Sequence, residues 1–347
     1  MVQCLTTKKC ITDGIRPEKK DLGPYWHASP VATDVRGVTE APIRTIMGPL
    51  IMLWIIWGST YMGIALMVKS MQPLLGSGSR FITASLVLGT IVVLVKGPSA
   101  FQMTRAQFRG AAFMGVSILG VSIGILSLAQ RFVPSGIAAL IVSVMPLWII
   151  FFRLRAGDRP SRLTYLGVGV GLMGLVLMLI PGGTTPVNGA STTQVAIWSI
   201  AIACGSFSWA FFSYRSTRYQ QPKEPLTTAV IELAAAGVFL VIVGAVIGER
   251  WDFRVITQQS WAGWGYLVLA SATAYGAFVW LLNNAPMSLV ATYAYVNPVV
   301  AVILGLVILN ESITSDVIIG LSIVVGGVVL VVNGERRTRL RLAEQPQ

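Results

Sequence analysis

The sequence predicts an all-α integral membrane protein: ten transmembrane helices arranged as two inverted five-helix repeats, with the N and C termini in the cytoplasm. Three observations predict it. The composition is too apolar for solution, with 54% of the 347 residues hydrophobic and 12% charged. Ten apolar runs are each long enough to cross ~30 Å of hydrocarbon, which takes about 20 residues at helical rise. An internal echo recurs at a shift of 152 residues.

Residues 1–46 come first and are a different material. They hold the only histidine, His27, two of the three cysteines, Cys4 and Cys10, and seven basic residues. No apolar run there suits a signal peptide, and the stretch reads as a cytosolic, disordered tail. The spacing of Cys4, Cys10 and His27 matches no zinc pattern, so neither a metal site nor a cofactor is expected. Met47 opens the first apolar run directly and is an alternative start.

The runs follow at 47–69, 76–95, 109–130, 132–153 and 162–180, then at 194–214, 225–248, 261–283, 287–309 and 314–333. They are unbroken and lack the period-2 alternation of outer-membrane strands, so helices are expected. The first five form a repeat over 47–190 and the second five a repeat over 191–334, followed by a basic cytosolic tail at 335–347. With both termini inside, the cytoplasmic segments carry 21 Lys and Arg and the opposite side 5, the positive-inside asymmetry. The net charge of +12 therefore flanks the spans. Anionic lipid headgroups, and not nucleic acid, are its expected partner.

The echo sets the topology. "VPSGIAALIVSVMPLWII" (133–150) lies under "APMSLVATYAYVNPVVAV" (285–302), so that Pro134 meets Pro286 and Pro146 meets Pro298. "WGSTY" at Trp57 to Tyr61 is answered by "CGSFS" at Cys204 to Ser208. A five-span unit is odd, so its second copy enters the membrane upside down, as in secondary transporters that hold substrate near the midplane between repeats.

Span nine carries the strongest local signal. Pro298 removes a backbone donor and crowds the carbonyl of Ala294, so Pro298 and its counterpart Pro146 are expected helix breaks. Tyr293 and Asn297, four residues apart, share a face, and Tyr295 is displaced to the side. These three either line a cavity or serve as packing and interhelical glue.

These motifs, with "WGSTYMGIALMVKSMQPLLGSGSRFITA" (57–84) and "ATYAYVNPVVAVILGLVILNES" (291–312), resemble the ten-helix exporters of the drug/metabolite transporter superfamily, built from two EamA repeats. The resemblance covers about residues 47–333. It implies that spans one to four and six to nine surround a central cavity, with five and ten peripheral, and that a small metabolite or toxic compound is exported. One place departs: the acidic "GE" pair common after span four reads "GDRP" here, whereas Glu311 follows span nine in "NES".

Under this reading Trp57, Ser59 and Tyr61 lie where the family cavity opens. Arg80, a few residues into span two, either clamps a substrate carboxylate or reaches the interface with its head. Trp209 and Tyr275 are candidate aromatic walls or interfacial anchors. Glu232 is the only acid well inside a span. Burial favours the neutral form of a carboxyl, which makes it a candidate for proton coupling, or else a structural acid paired with Lys223 or Arg218.

Span five contains "GVGLMG" (169–174), which fits GxGxxG but lies inside a membrane helix with no strand before it. With Gly167, and with Gly320, Gly326 and Gly327 in span ten, it reads as close helix packing, within the chain or between copies. No phosphate loop is present, and the spans hold no histidine and one cysteine, Cys204. That leaves an enzyme without catalytic residues. An exporter of a small-molecule substrate in the cell (inner) membrane is the leading reading. An importer on the same fold, a channel and a non-transporting sensor are the rivals.

Overall fold

The computed structural model describes residues 42–133, 135–142, 145–157, 160–179, 190–309 and 315–343. Cys4, Cys10, His27, Pro134, Asp158 and Glu311 lie outside the described residues. The helices are α1 Ile43–Met67, α2 Pro73–Lys96, α3 Arg105–Gly115, α4 Val121–Ala129, α5 Ser135–Val142, α6 Met145–Arg155 and α7 Arg162–Leu179. They continue as α8 Thr192–Arg215, α9 Pro225–Val246, α10 Gln258–Asn284, α11 Met287–Val290, α12 Tyr293–Leu309 and α13 Ser315–Ala343. A π-helical segment, Val116–Gly120, joins α3 to α4. No strand occurs among the described residues.

Among those residues six helical segments are long and apolar enough to cross a membrane: Ile43–Met67, Pro73–Lys96, Arg105–Ala129, Thr193–Arg218, Pro225–Val246 and Gln258–Asn284. The other expected spans are helical but are organised differently. The fourth is α5 with α6, the fifth α7, the ninth α11 with α12, and the tenth α13, which continues past the apolar run to Ala343.

The 152-residue echo reappears as matched punctuation. Pro73 opens α2 and Pro225 opens α9, at the position where a missing N–H is harmless. Gly97 (φ 79°) ends α2 and Gly248 (φ 88°) follows α9, a backbone region glycine enters without steric cost. Thr104 then caps α3 through the Gln107 N–H, and Thr257 caps α10 through the Ser260 N–H.

Packing follows the same exchange. α2 packs on α9 and α7 on α13, while α1 packs on α10 and α12, and α8 on α4, α5 and α6. Swapping the halves returns the same set of pairs. Glycines set the closest crossings. A Cβ on Gly78 would meet the Gly237 carbonyl oxygen at 2.8 Å and the Val241 N, and one on Gly237 would meet the Gly78 carbonyl oxygen at 2.8 Å and the Ile82 N. The order of these contacts makes α2 and α9 antiparallel. In α7 and α13, Gly167 meets Gly327 and Val331, and Gly174 meets Gly320 and Val324, again antiparallel. The glycine-rich motif in α7 is therefore a packing surface. Gly169 and Gly326, by contrast, face open space.

The outer surface is apolar. Leu86, Leu94 and Val95 of α2, Ile197 and Ile200 of α8 and Val246 of α9 are exposed, an arrangement suited to hydrocarbon and not to water.

Candidate functional site

Where the halves meet, every α-helix except α3, α7, α11 and α13 contributes to a cavity of about 90 Å³, room for several waters or one compact solute. α1 presents Trp57 and Tyr61, α2 presents Arg80, α4 presents Ser122 and α8 presents Ser206 and Trp209. α10 adds Ser271 and Tyr275, and α12 adds Tyr293 and Asn297. Tyr293 and Asn297 reach it together because four residues return a helix to the same face.

One wall is aromatic. The Trp57 ring lies edge-on to Trp209 at 5.4 Å and to Tyr293 at 4.7 Å, and Phe278 sits 4.9 Å from it. Trp209 and Tyr275 are buried, so they are walls of the interior and not interfacial anchors. The Tyr293 hydroxyl donates to Met145 Sδ at 3.1 Å. The Asn297 carbonyl oxygen is buried without a partner.

Arg80 is 3% exposed, so its head does not reach the interface. Its Nη1 donates to Ser271 Oγ at 2.8 Å, and the guanidinium lies 4.2 Å from the Phe81 ring centroid. Glu232 is 2% exposed and stands one layer behind the cavity. Tyr275 Oη donates to its Oε2 at 2.8 Å and Gln221 Nε2 to its Oε1 at 3.3 Å. Neutral donors thus hold this carboxylate, in place of the expected Lys223 or Arg218.

Two expected residues stand elsewhere. Ser59 turns toward its own helix, donating to the Ile56 carbonyl at 2.7 Å, and bonds the Tyr266 hydroxyl. Tyr295 packs against α7, its ring 3.2 Å from where a Gly171 Cβ would be, in a cluster with Val168, Val299 and Val324. The expected breaks are also displaced. Pro298 lies inside α12, and the chain turns earlier, at Ala291 and Thr292, where Trp54 Nε1 donates to Thr292 Oγ1 at 3.2 Å. Pro146 is the second residue of α6, a position that tolerates proline without a kink.

Sequence reasoning passed over Ser271, Ser206, Ser122 and Phe278. Ser271 was findable, being four residues before Tyr275 on one face of a helix. The π-helical segment, which carries Leu119 and precedes Ser122, had no such signal. It lies where Gly115 packs directly on the Glu232 backbone, and such segments recur at functional sites.

A cavity between two echoing halves is what the family resemblance implied, and comparison with known proteins decides the family. The EamA-like transporter family matches twice, at residues 47–180 and 196–333. The chain belongs to the EamA-like transporter family. It is 36% identical over 295 residues, covering 84% of this chain and 91% of the relative, to the uncharacterized inner membrane transporter YedA of Escherichia coli K12. It is 26% identical over 284 residues, covering 80% and 88%, to the threonine/homoserine exporter RhtA of the same organism. A solved crystal structure shares the fold, with a TM-score of 0.69 at 17% identity over 85% of this chain and 99% of the other. This EamA-family chain is thus a multi-pass protein of the inner membrane, in a family of membrane transporters. Its likeness to the solved structure extends over both repeats.

Proposed function

We propose that this protein is a secondary transporter that exports a small metabolite across the inner membrane by alternating access. It has ten spans in two inverted repeats and both termini in the cytoplasm. The observation that carries this reading is the cavity walled by both halves, α1, α2 and α4–α6 from one and α8–α10 and α12 from the other. Rocking one half against the other exposes such a site alternately to each side of the membrane. The antiparallel crossings of α2 with α9 and α7 with α13 support the inversion, and the Lys and Arg asymmetry supports cytoplasmic termini. The name of the relative RhtA supports export over import and an amino acid or analogue as cargo.

In this reading Trp57, Tyr61, Arg80, Trp209, Tyr275, Tyr293 and Asn297 contact the substrate, and Glu232 couples transport to protons. The test is efflux from proteoliposomes loaded with labelled amino acids and dyes. Saturable efflux of one class, reduced at least tenfold by Asn297→Ala, is the expected result. Correctly inserted wild-type protein that moves none of the panel would sink the reading.

A further inference from the structure

We infer that a groove between α1, α12 and α13, on the membrane face of the bundle, holds an acyl chain of an anionic phospholipid whose phosphate is received by Arg44 and Arg337.

The groove measures about 380 Å³, against about 90 Å³ for the central cavity, and the two share no lining residue. α1 gives it Met47 and Trp54, and α13 gives it Val325, Val329 and Asn333. Val299 and Val324 are buried and form its floor, whereas Val325 and Val329 are exposed, so it opens outward onto hydrocarbon. Trp54 has committed its N–H to Thr292 Oγ1 and offers the groove only ring carbon. Among the described residues Asn333 is therefore the one polar side chain in the lining, and it stands at one end.

Depth and charge select the occupant. Met47 opens the first apolar run and Asn333 closes the tenth, which puts the mouth of the groove at the edge of the hydrocarbon. From there it extends seven residues along α1 to Trp54 and nine along α13 to Val324, about 10–14 Å at helical rise. One leaflet is about 15 Å deep, half of the ~30 Å core. An acyl chain that enters at the mouth thus lies along the groove within its own leaflet. Just outside the mouth are two exposed arginines, Arg44 three residues before Met47 and Arg337 four residues after Asn333, each on the helix face of its mouth residue. Neither has an ion-pair partner among the described residues. α13 carries on through "ERRTRLR" (335–341), four arginines against one glutamate. Guanidinium forks match a phosphate, and a headgroup with net negative charge meets no opposing ammonium there. A second copy of the chain fits less well, because a symmetric contact brings its arginines against these. The far end of the groove, Trp54, fastens the turn ahead of Tyr293 and Asn297, so the lipid stands one contact from the cavity wall.

The experiment is photolabelling of the full chain in phosphatidylcholine nanodiscs. The probes are phosphatidylglycerol and phosphatidylcholine with identical acyl chains, each carrying a diazirine at mid-chain, and labelled residues are mapped by mass spectrometry. Phosphatidylglycerol should label residues 47–54 and 324–333 saturably, and phosphatidylcholine should not saturate in the same range. R44Q/R337Q should raise the half-saturating concentration about thirtyfold, roughly fivefold for each arginine near the surface, while R44K/R337K keeps most of the binding. V329W, which fills the groove at an exposed position, should suppress the labelling, and excess glycerol 3-phosphate should leave it unchanged. The comparison of the two lipids uses wild-type protein and so stands even where a variant does not fold. Equal labelling by both lipids overturns the inference, as does phosphatidylglycerol labelling that R44Q/R337Q leaves unmoved. Displacement by glycerol 3-phosphate overturns the acyl-chain site in favour of a headgroup site. A dimer that V329W dissociates, without saturable labelling by either lipid, gives the groove to a second copy and overturns it too.

Discussion

Tyr275 and Glu232 form a hydrogen-bonded pair, 2.8 Å from the phenolic oxygen to Oε2, in which the tyrosine faces the cavity and the acid does not. On its other oxygen Glu232 meets Gln221, in the loop between α8 and α9. The acid therefore sits between a cavity phenol and a loop amide, one hydrogen bond from each. On the cavity side its hydrogen-bond partner is Tyr275.

The first prediction follows from that order. Glu232→Gln keeps the shape and an acceptor for Tyr275 but cannot release a proton. Efflux driven by an imposed pH gradient should fall to the rate without a gradient, while exchange of substrate for substrate persists. Tyr275→Phe should lower the gradient-driven rate about tenfold or more, the low end for loss of a positioned proton-transfer group. Unchanged pH dependence in Glu232→Gln would make the acid structural.

The glycine crossings give a second prediction with its own control. A Cβ at Gly237 meets the Gly78 carbonyl and the Ile82 N, both backbone and unable to yield without separating the helices. Gly237→Ala should cost about 1–3 kcal/mol, the range for overpacking, read as a lower melting temperature in detergent. Gly169→Ala, in open space on α7, should be neutral or stabilise slightly because alanine restricts the unfolded chain. Equal melting of the two variants would remove glycine packing as the cause.

Reading the sequence worked where one-dimensional pattern determines the outcome. The apolar runs, the echo and the acid at 232 depend on residue type and spacing, and spacing also placed Tyr293 beside Asn297. It failed where a helix's rotation or a neighbour decides. Tyr295 is two residues from each of those and so turns about 200° from the cavity, onto α7. Ser59 and its echo partner Ser206 differ in the same way, Ser206 lining the cavity while Ser59 turns to Tyr266. The turn at Ala291 and Thr292 depends on Trp54, which is 238 positions away in the chain from Thr292. No local propensity reports such a bond.

The final prediction concerns the two ends of the α2 and α9 pair, which are fastened by different chemistry. At one end Lys96 Nζ lies 2.6 Å from Glu224 Oε2, joining the end of α2 to the start of α9, with the side chains 42% and 27% exposed. At the other end Glu249, just after α9, accepts from the Leu74 N at 3.1 Å and the Leu75 N at 2.8 Å. It supplies the N-terminal cap of α2 that Gln72 does not provide. An exposed ion pair is worth at most about 1 kcal/mol and weakens with salt. A carboxylate on two free N–H groups at a helix start combines capping, about 0.5–2 kcal/mol, with attraction to the helix dipole. Glu249→Ala should therefore lower the melting temperature more than Lys96→Ala. High salt should erase the Lys96→Ala effect and leave most of the Glu249→Ala effect. Under the alternating access proposed above, in which one half rocks against the other, the weaker Lys96–Glu224 fastening is the end expected to part first. A larger loss in Lys96→Ala than in Glu249→Ala would reverse that assignment.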